Sequence, residues 1–189
     1  MQATNRKCLA SHRVQVISTA PPSDVVVAAG TVAHGPLETM SLDEIDHLYK
    51  NNLRLCMNVT KQFFAACDKT REKPKSIVLI SSNAGCLARP NQPAYAAMKA
   101  AVLSLSKSLA AAWGRYGIRV NAVAPGSVIV DRNREALRRK FPAFPADPER
   151  PSGRLCTPHD VAALVRYLIS DDAWQITGET VILDGGSSL

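Results

Sequence analysis

Short apolar runs alternate along the chain with longer stretches in which apolar positions return every three or four residues. Val14-Gln-Val-Ile17, Ser23-Asp-Val-Val-Val-Ala-Ala29, Ser76-Ile-Val-Leu-Ile80, Arg119-Val-Asn-Ala-Val123 and residues 179–183 read as strands, the second closing at Gly30. Ser76–Ile80 is apolar at successive positions, the pattern of a parallel strand covered on both faces. Between strands, Ser41-Leu-Asp-Glu44 is a capping box opening a helical stretch to about Asp68, with a break near Lys50. Residues 94–114 carry Met98, Ala101, Val102, Leu105, Leu109, Ala112 and Trp113 along one helical face. Ala100, Leu103, Ala110 and Ala111 make the opposite side fairly apolar, so the sheet covers one side and a partner subunit, or another part of the monomer, the other. A helix over 160–170 follows a loop, residues 124–158, rich in Pro and Arg. Strands and helices alternating in this way predict an α/β fold with a parallel sheet.

At 189 residues the chain fits one domain, and 46% hydrophobic with 21% charged residues excludes disorder. No run approaches the roughly 18 apolar residues of a membrane span, and no signal peptide is evident, so a soluble, cytoplasmic protein without membrane contact is expected. Cys8, Cys56, Cys67, Cys86 and Cys156 form no C-x-x-C pair and are read mostly as buried thiols. His12, His34, His47 and His159 lack ligand spacing, and no metal is predicted. The net charge of +7 is spread out. Residues 54–75 hold six Lys or Arg against Asp68 and Glu72, and residues 131–154 hold seven against four acids. Neither stretch interleaves aromatics with the basic residues, so nucleic acid is not an expected partner. Solvated faces, an acidic substrate carrier or a cofactor phosphate remain as readings of the charge.

Chemistry starts at Tyr95 and Lys99. Four residues apart on a helix, their side chains share one face, and an ammonium beside a phenol favours the phenolate and suits it to proton exchange. Such a pair also arises by chance on a surface. Ser82 closes an apolar strand thirteen residues earlier, in Ile80-Ser-Ser-Asn-Ala-Gly85, and Asn52 lies in Asn51-Asn-Leu53 on the preceding helix.

With these residues the sequence resembles the classical short-chain dehydrogenase/reductase family, and within it the 3-oxoacyl-carrier-protein reductase-like members. Pro93-Ala-Tyr-Ala-Ala-Met-Lys-Ala-Ala101, Arg119-Val-Asn-Ala-Val-Ala-Pro-Gly126, Gly153-Arg-Leu, Ile176-Thr-Gly178 and Asp184-Gly-Gly186 carry the resemblance over residues 23–189, after a divergent segment 1–22. It implies a single Rossmann-like domain, a doubly wound parallel sheet in three α/β/α layers, incomplete at its N-terminus. It implies hydride transfer between NAD or NADP, with NADP the first expectation, and a small-molecule or acyl-carrier-bound carbonyl. Tyr95 would be the general acid, Ser82 would bond the same substrate oxygen, and Lys99 would lower the Tyr95 pKa and hold the nicotinamide ribose. Asn52 would position a water leading protons to Lys99. Ser82 as a strand-end cap and Asn52 as a helix-kink residue are the plainer readings. Pro125, Gly126, Ser127 and Val128 match the loop contacting the nicotinamide amide, where Gly126 also reads as a turn residue. Ala28, Ala29 and Gly30 stand beside the adenosine position. The resemblance also implies a homodimer or homotetramer through helix 94–114 and the C-terminal strand, and a substrate lid over 131–154. Arg132, Arg134, Arg138, Arg139 and Lys140 in that lid suit an acidic carrier or a carboxylated substrate.

The departures lie at the cofactor. No G-x-G-x-x-G occurs and no Gly precedes Gly30, so the strand–helix units that would seat the pyrophosphate, roughly 60 residues, are missing from the pattern. Val27-Ala-Ala-Gly30 replaces Asn-Asn-Ala-Gly, and Val130 stands where a threonine often bonds the nicotinamide amide. A non-catalytic structural or regulatory subunit is therefore the competing expectation. Sequence upstream of Met1 would separate the two.

Overall fold

The computed structural model describes residues 22–189; Cys8, His12 and the strand expected at Val14–Ile17 lie outside the described residues. Four parallel strands, β1 (Asp24–Val27), β2 (Lys75–Ile80), β3 (Ile118–Pro125) and β4 (Thr180–Leu183), lie in the sheet order β1-β2-β3-β4. Val25 pairs with Ile77, Leu79 with Ala122, and Val123 with Val181. Every residue of β3 is buried, as are the first five of β2, which is why residues 77–80 read as a continuous apolar run and why the polar Arg119 and Asn121 of β3 must find partners inside.

Helix α1 (Leu42–Tyr49) begins at the expected capping box: Ser41 Oγ accepts from the Glu44 N–H, and the Glu44 carboxylate accepts from the Ser41 N–H. The break expected near Lys50 is a widened turn over Lys50–Arg54, after which α2 runs Leu55–Ala66. Helix α3 (Pro93–Trp113) starts with Pro at its first position, where no N–H is missed. It ends through a tight turn to Gly117, whose φ of +70° reverses the chain into β3. Residues 124–158 are not all loop: β3 extends to Pro125, and α4 (Arg134–Lys140) forms within the stretch. Leu137 is its buried residue, and a single apolar position makes no periodic signal. Helix α5 (Pro158–Ile169) has a second capping box, Thr157 with Asp160. The Arg154 fork binds both Asp160 oxygens at 2.7 Å and holds that carboxyl well below its ordinary pKa.

The two faces of the sheet carry separate cores. On one face Val27, Ile77, Leu79, Ile118 and Val120 pack against Cys56, Val59 and Phe63 of α2 and Val102 and Ala110 of α3. Phe64 stacks on Trp113 at the rim of that core. On the other face Val78 and Val123 pack against Leu168 and its neighbours on α5. The result is the expected three-layer α/β/α arrangement. Ala110 belongs to the core side of α3 rather than the opposite one, and Ala112 is exposed, so the buried stripe is rotated from the one expected. Polar residues of β3 tie the layers together. Asn121 donates to the Ile176 carbonyl and accepts from the Glu179 N–H, while Arg119 donates to the carbonyls of Leu168 and Ser170.

Candidate active site

The widened turn at Lys50–Arg54 turns Asn52 inward, where it is fully buried. Its Nδ2 donates to the carbonyls of Leu48 and Thr31, both at 2.9 Å, so Asn52 stabilises the kink and also ties it to the loop after β1. Its Oδ1 is buried without a protein partner, as is the Thr31 hydroxyl. Lys99 is 5% exposed on α3, and its Nζ donates to the Ile80 carbonyl at 3.3 Å, leaving two ammonium hydrogens. Gly30 sits over both groups. A Cβ there would lie 2.6 Å from Asn52 Oδ1 and 3.3 Å from Lys99 Nζ, so only glycine lets the backbone approach this closely.

The loop after β2 is clamped onto α3. Ser81 Oγ donates to the Lys99 carbonyl at 2.8 Å, and a Cβ on Gly85 would meet the Lys99 carbonyl carbon at 2.7 Å. Ser82, between these contacts, caps a short turn by accepting the Ala84 N–H at 3.1 Å, and its hydroxyl also bonds the Tyr95 hydroxyl. The cap reading and the site reading of Ser82 thus both hold. Burial pushes the Tyr95 phenol above its ordinary pKa, while the Ser82 hydrogen bond and the Arg132 charge pull it down. Lys99 is not among these causes: its ammonium lies 5.7 Å from the ring centroid and donates to the Ile80 carbonyl. Burial lowers the Lys99 pKa, opposed by the nearby Cys56 thiol, which burial in turn pushes up.

Asn52, Ser82, Tyr95, Lys99 and Gly30 are therefore brought together. Ala28 and Ala29 are exposed just beyond the end of β1. Pro125, Gly126, Ser127 and Val128 continue from the end of β3, beside the end of β2. Gly126 is more than a turn residue, since a Cβ there would meet Asp184 Cβ at 2.7 Å. Val130 is half-buried, and the loop carrying it is stapled by Asn133, which accepts from the Val130 N–H and donates to the Val128 carbonyl.

A polar network behind Ser82 was not singled out from the sequence. Asn83 donates to the Asp184 carboxylate at 3.0 Å and accepts from Arg89, and Asp184 also accepts from Ser187 and the Gly186 N–H. Burial would raise the Asp184 pKa, but these hydrogen bonds outweigh it and hold the carboxyl below its ordinary value. Arg150, buried in an ion pair with Asp147, donates to the Asp184 carbonyl. Asn83 and Asp184 are 101 residues apart, so only their places in the Ser-Ser-Asn-Ala-Gly and Asp-Gly-Gly runs hinted at a role.

The site fits the nicotinamide riboside end of a dinucleotide. Lys99 offers two free donors and Asn52 one free acceptor, both buried, and Gly30 lets the loop after β1 close over them. Among the described residues no glycine-rich turn leads a strand into a helix to seat a pyrophosphate.

A parallel α/β sheet with Ser, Tyr, Lys and Asn gathered beyond its carboxyl edge defines a class of oxidoreductase-like folds. Residues 4–188 match the family profile described as enoyl-(acyl carrier protein) reductase. The human (3R)-3-hydroxyacyl-CoA dehydrogenase is 36% identical over 188 residues, 98% of this chain and 69% of that protein. A Brucella melitensis 3-oxoacyl-[acyl-carrier protein] reductase solved with NAD is 32% identical with a TM-score of 0.74, covering 88% of this chain and 62% of that one. A Burkholderia cenocepacia gluconate 5-dehydrogenase solved with NADP and tartrate is 29% identical with a TM-score of 0.77, covering 88% and 64%. The chain belongs to the short-chain dehydrogenase/reductase family. It spans between 25% and 63% of the length of the first curated relatives it matches.

Proposed function

We propose that the chain is an NAD- or NADP-dependent oxidoreductase interconverting a carbonyl and an alcohol, of the 3-oxoacyl reductase type. The observation that carries this is the cluster of half-buried Ser82 and Tyr95 with buried Lys99 and Asn52, with donors on Lys99 and an acceptor on Asn52 that no protein group uses. A bound nicotinamide supplies the hydride to the carbonyl carbon, or takes it back in the reverse direction. Tyr95, kept protonated by burial, gives its phenolic proton to the carbonyl oxygen. Ser82 bonds the same oxygen and steadies the charge that develops on it. The tyrosinate left behind regains its proton from water through the Lys99 ammonium, with Asn52 Oδ1 positioning that water. Among relatives, a 3-hydroxyacyl-CoA dehydrogenase and a 3-oxoacyl-carrier reductase support an acyl substrate, and the tartrate held by gluconate 5-dehydrogenase supports an acidic one. Exposed Tyr167 on α5, Trp174 just after it and Ile182 on β4 support assembly into a homo-oligomer.

The test is oxidation of NADH or NADPH by a panel of 3-oxoacyl thioesters and oxo acids. Tyr95→Phe is expected to lower turnover by about 10²–10⁴-fold with the fold intact. Equal rates in the wild type and this variant would reject the mechanism. A second reading, a non-catalytic subunit, is supported by Val27-Ala-Ala-Gly30, which lacks polar side chains where the family has Asn-Asn-Ala-Gly, and absence of turnover together with a stable complex with a larger relative would establish it.

A further inference from the structure

The end of β3 lies beside the end of β2, because Ile80 pairs with Val123, so the loop after Gly126 hangs over the same edge as Ser82 and Tyr95. That loop is held at two points: the bridge of Val128 to Cys156, and Asn133, whose amide grips Val128 and Val130 on either side. The turn Asp131–Asn133 is therefore fixed, and Arg132 is its central residue. Of the four acids in residues 131–154, Asp131 lies 3.9 Å from Arg134, Glu135 pairs with Arg138 at 3.0 Å and Asp147 with Arg150 at 3.1 Å. Arg132 has no acidic partner among the described residues. Its guanidinium is exposed, yet within electrostatic reach of the Tyr95 phenol. A guanidinium without an acidic partner, on a fixed turn over the same sheet edge as the proton donor, is suited to an anion on the molecule that Tyr95 protonates.

We propose that Arg132 is the specificity residue of this site and binds a carboxylate carried by the substrate, so that the chain acts on oxo acids rather than on their neutral counterparts. The inference rests on the oxidoreductase reading and names its substrate class. A second source of the same anionic chemistry is the cofactor's diphosphate, and the experiment separates the two.

Wild type and Arg132→Gln are compared on matched pairs of a 3-oxo carboxylate and its methyl ester, beginning with acetoacetate. Binding of succinate and of each nucleotide is measured in parallel by calorimetry. The expected result is a KM for the acid raised at least tenfold in Arg132→Gln, an unchanged KM for the ester, loss of succinate binding, and an unchanged nucleotide Kd. Arg132→Lys recovers part of the acid preference, because the charge returns without the fork. Equal losses on acid and ester with a weakened nucleotide Kd would assign the arginine to the diphosphate and overturn the proposal. An ester used as well as the acid by the wild type would overturn it too. Succinate binding that depends on Arg132 in a chain without turnover would leave the anion site standing and reject the oxidoreductase reading alone.

Discussion

Lys99 carries the sharpest conflict between stability and function in this molecule. Its ammonium is 5% exposed and has one carbonyl at 3.3 Å, so it is buried with too few partners, and burial lowers its pKa. Lys99→Met should therefore stabilise the free chain by about 1 kcal/mol, a rise of roughly 2–4 °C in Tm for a domain of this size, while removing nucleotide binding. The pH dependence has a definite sign. Between the lowered folded pKa and the unfolded value near 10.4, the folded chain has released a proton that the unfolded chain keeps, so wild-type stability rises with pH through that window. The Met variant lacks this rise, and denaturant unfolding of both chains across the alkaline range checks it. Tyr95 has the opposite sign, since its folded pKa lies above the unfolded value of about 10, and its contribution is present below that pH and lost above it. In catalysis the same shift keeps Tyr95 an acid at neutral pH, so carbonyl reduction should fall, and alcohol oxidation gain, as pH climbs toward its pKa. Stopped-flow rates in both directions would show a crossing trend if Tyr95 is the group titrating, and parallel trends if it is not.

At the scale of elements, the site depends on how closely the loop after β2 lies on α3. Gly85 permits that approach, and its missing Cβ would face backbone atoms that cannot swing aside. Gly85→Ala should cost about 1–3 kcal/mol and separate Ser82 from Tyr95, lowering turnover without changing which residues are present. Thermal unfolding and steady-state rates read the two effects separately, and an unchanged Tm would contradict the clamp. Much of this level was legible beforehand. The capping box at Ser41, the break near Lys50, the buried run of β2 and the Pro start of α3 all rest on local chemistry, which a sequence displays directly. Helix α4 was not legible, because five of its seven residues are Arg, Lys or Glu and only Leu137 turns inward. The Asn83–Asp184 bond and the nearness of Arg132 to Tyr95 were hidden for a different reason. Each joins loops that meet only once the strands are in register, and no spacing rule marks such a pair.

For the whole molecule, the sheet divides the labour. Two cores of unequal size hold α2 and α3 on one face and α5 on the other, and the loops beyond the carboxyl ends of β1, β2 and β3 converge where Lys99, Asn52, Ser82 and Tyr95 meet. The described residues hold a buried pair, Lys99 and Asn52, with unused donors and an unused acceptor, and no glycine-rich turn among them leads a strand into a helix. Whether that pair takes up a nicotinamide nucleotide is the central claim of the proposed function. The most direct measurement is a titration of the folded 189-residue chain with NADH and with NADPH, following nucleotide fluorescence, beside Lys99→Ala. The account predicts saturable binding of at least one nucleotide, weakened tenfold or more in Lys99→Ala. Binding that ignores the substitution, or none up to millimolar nucleotide, would contradict it.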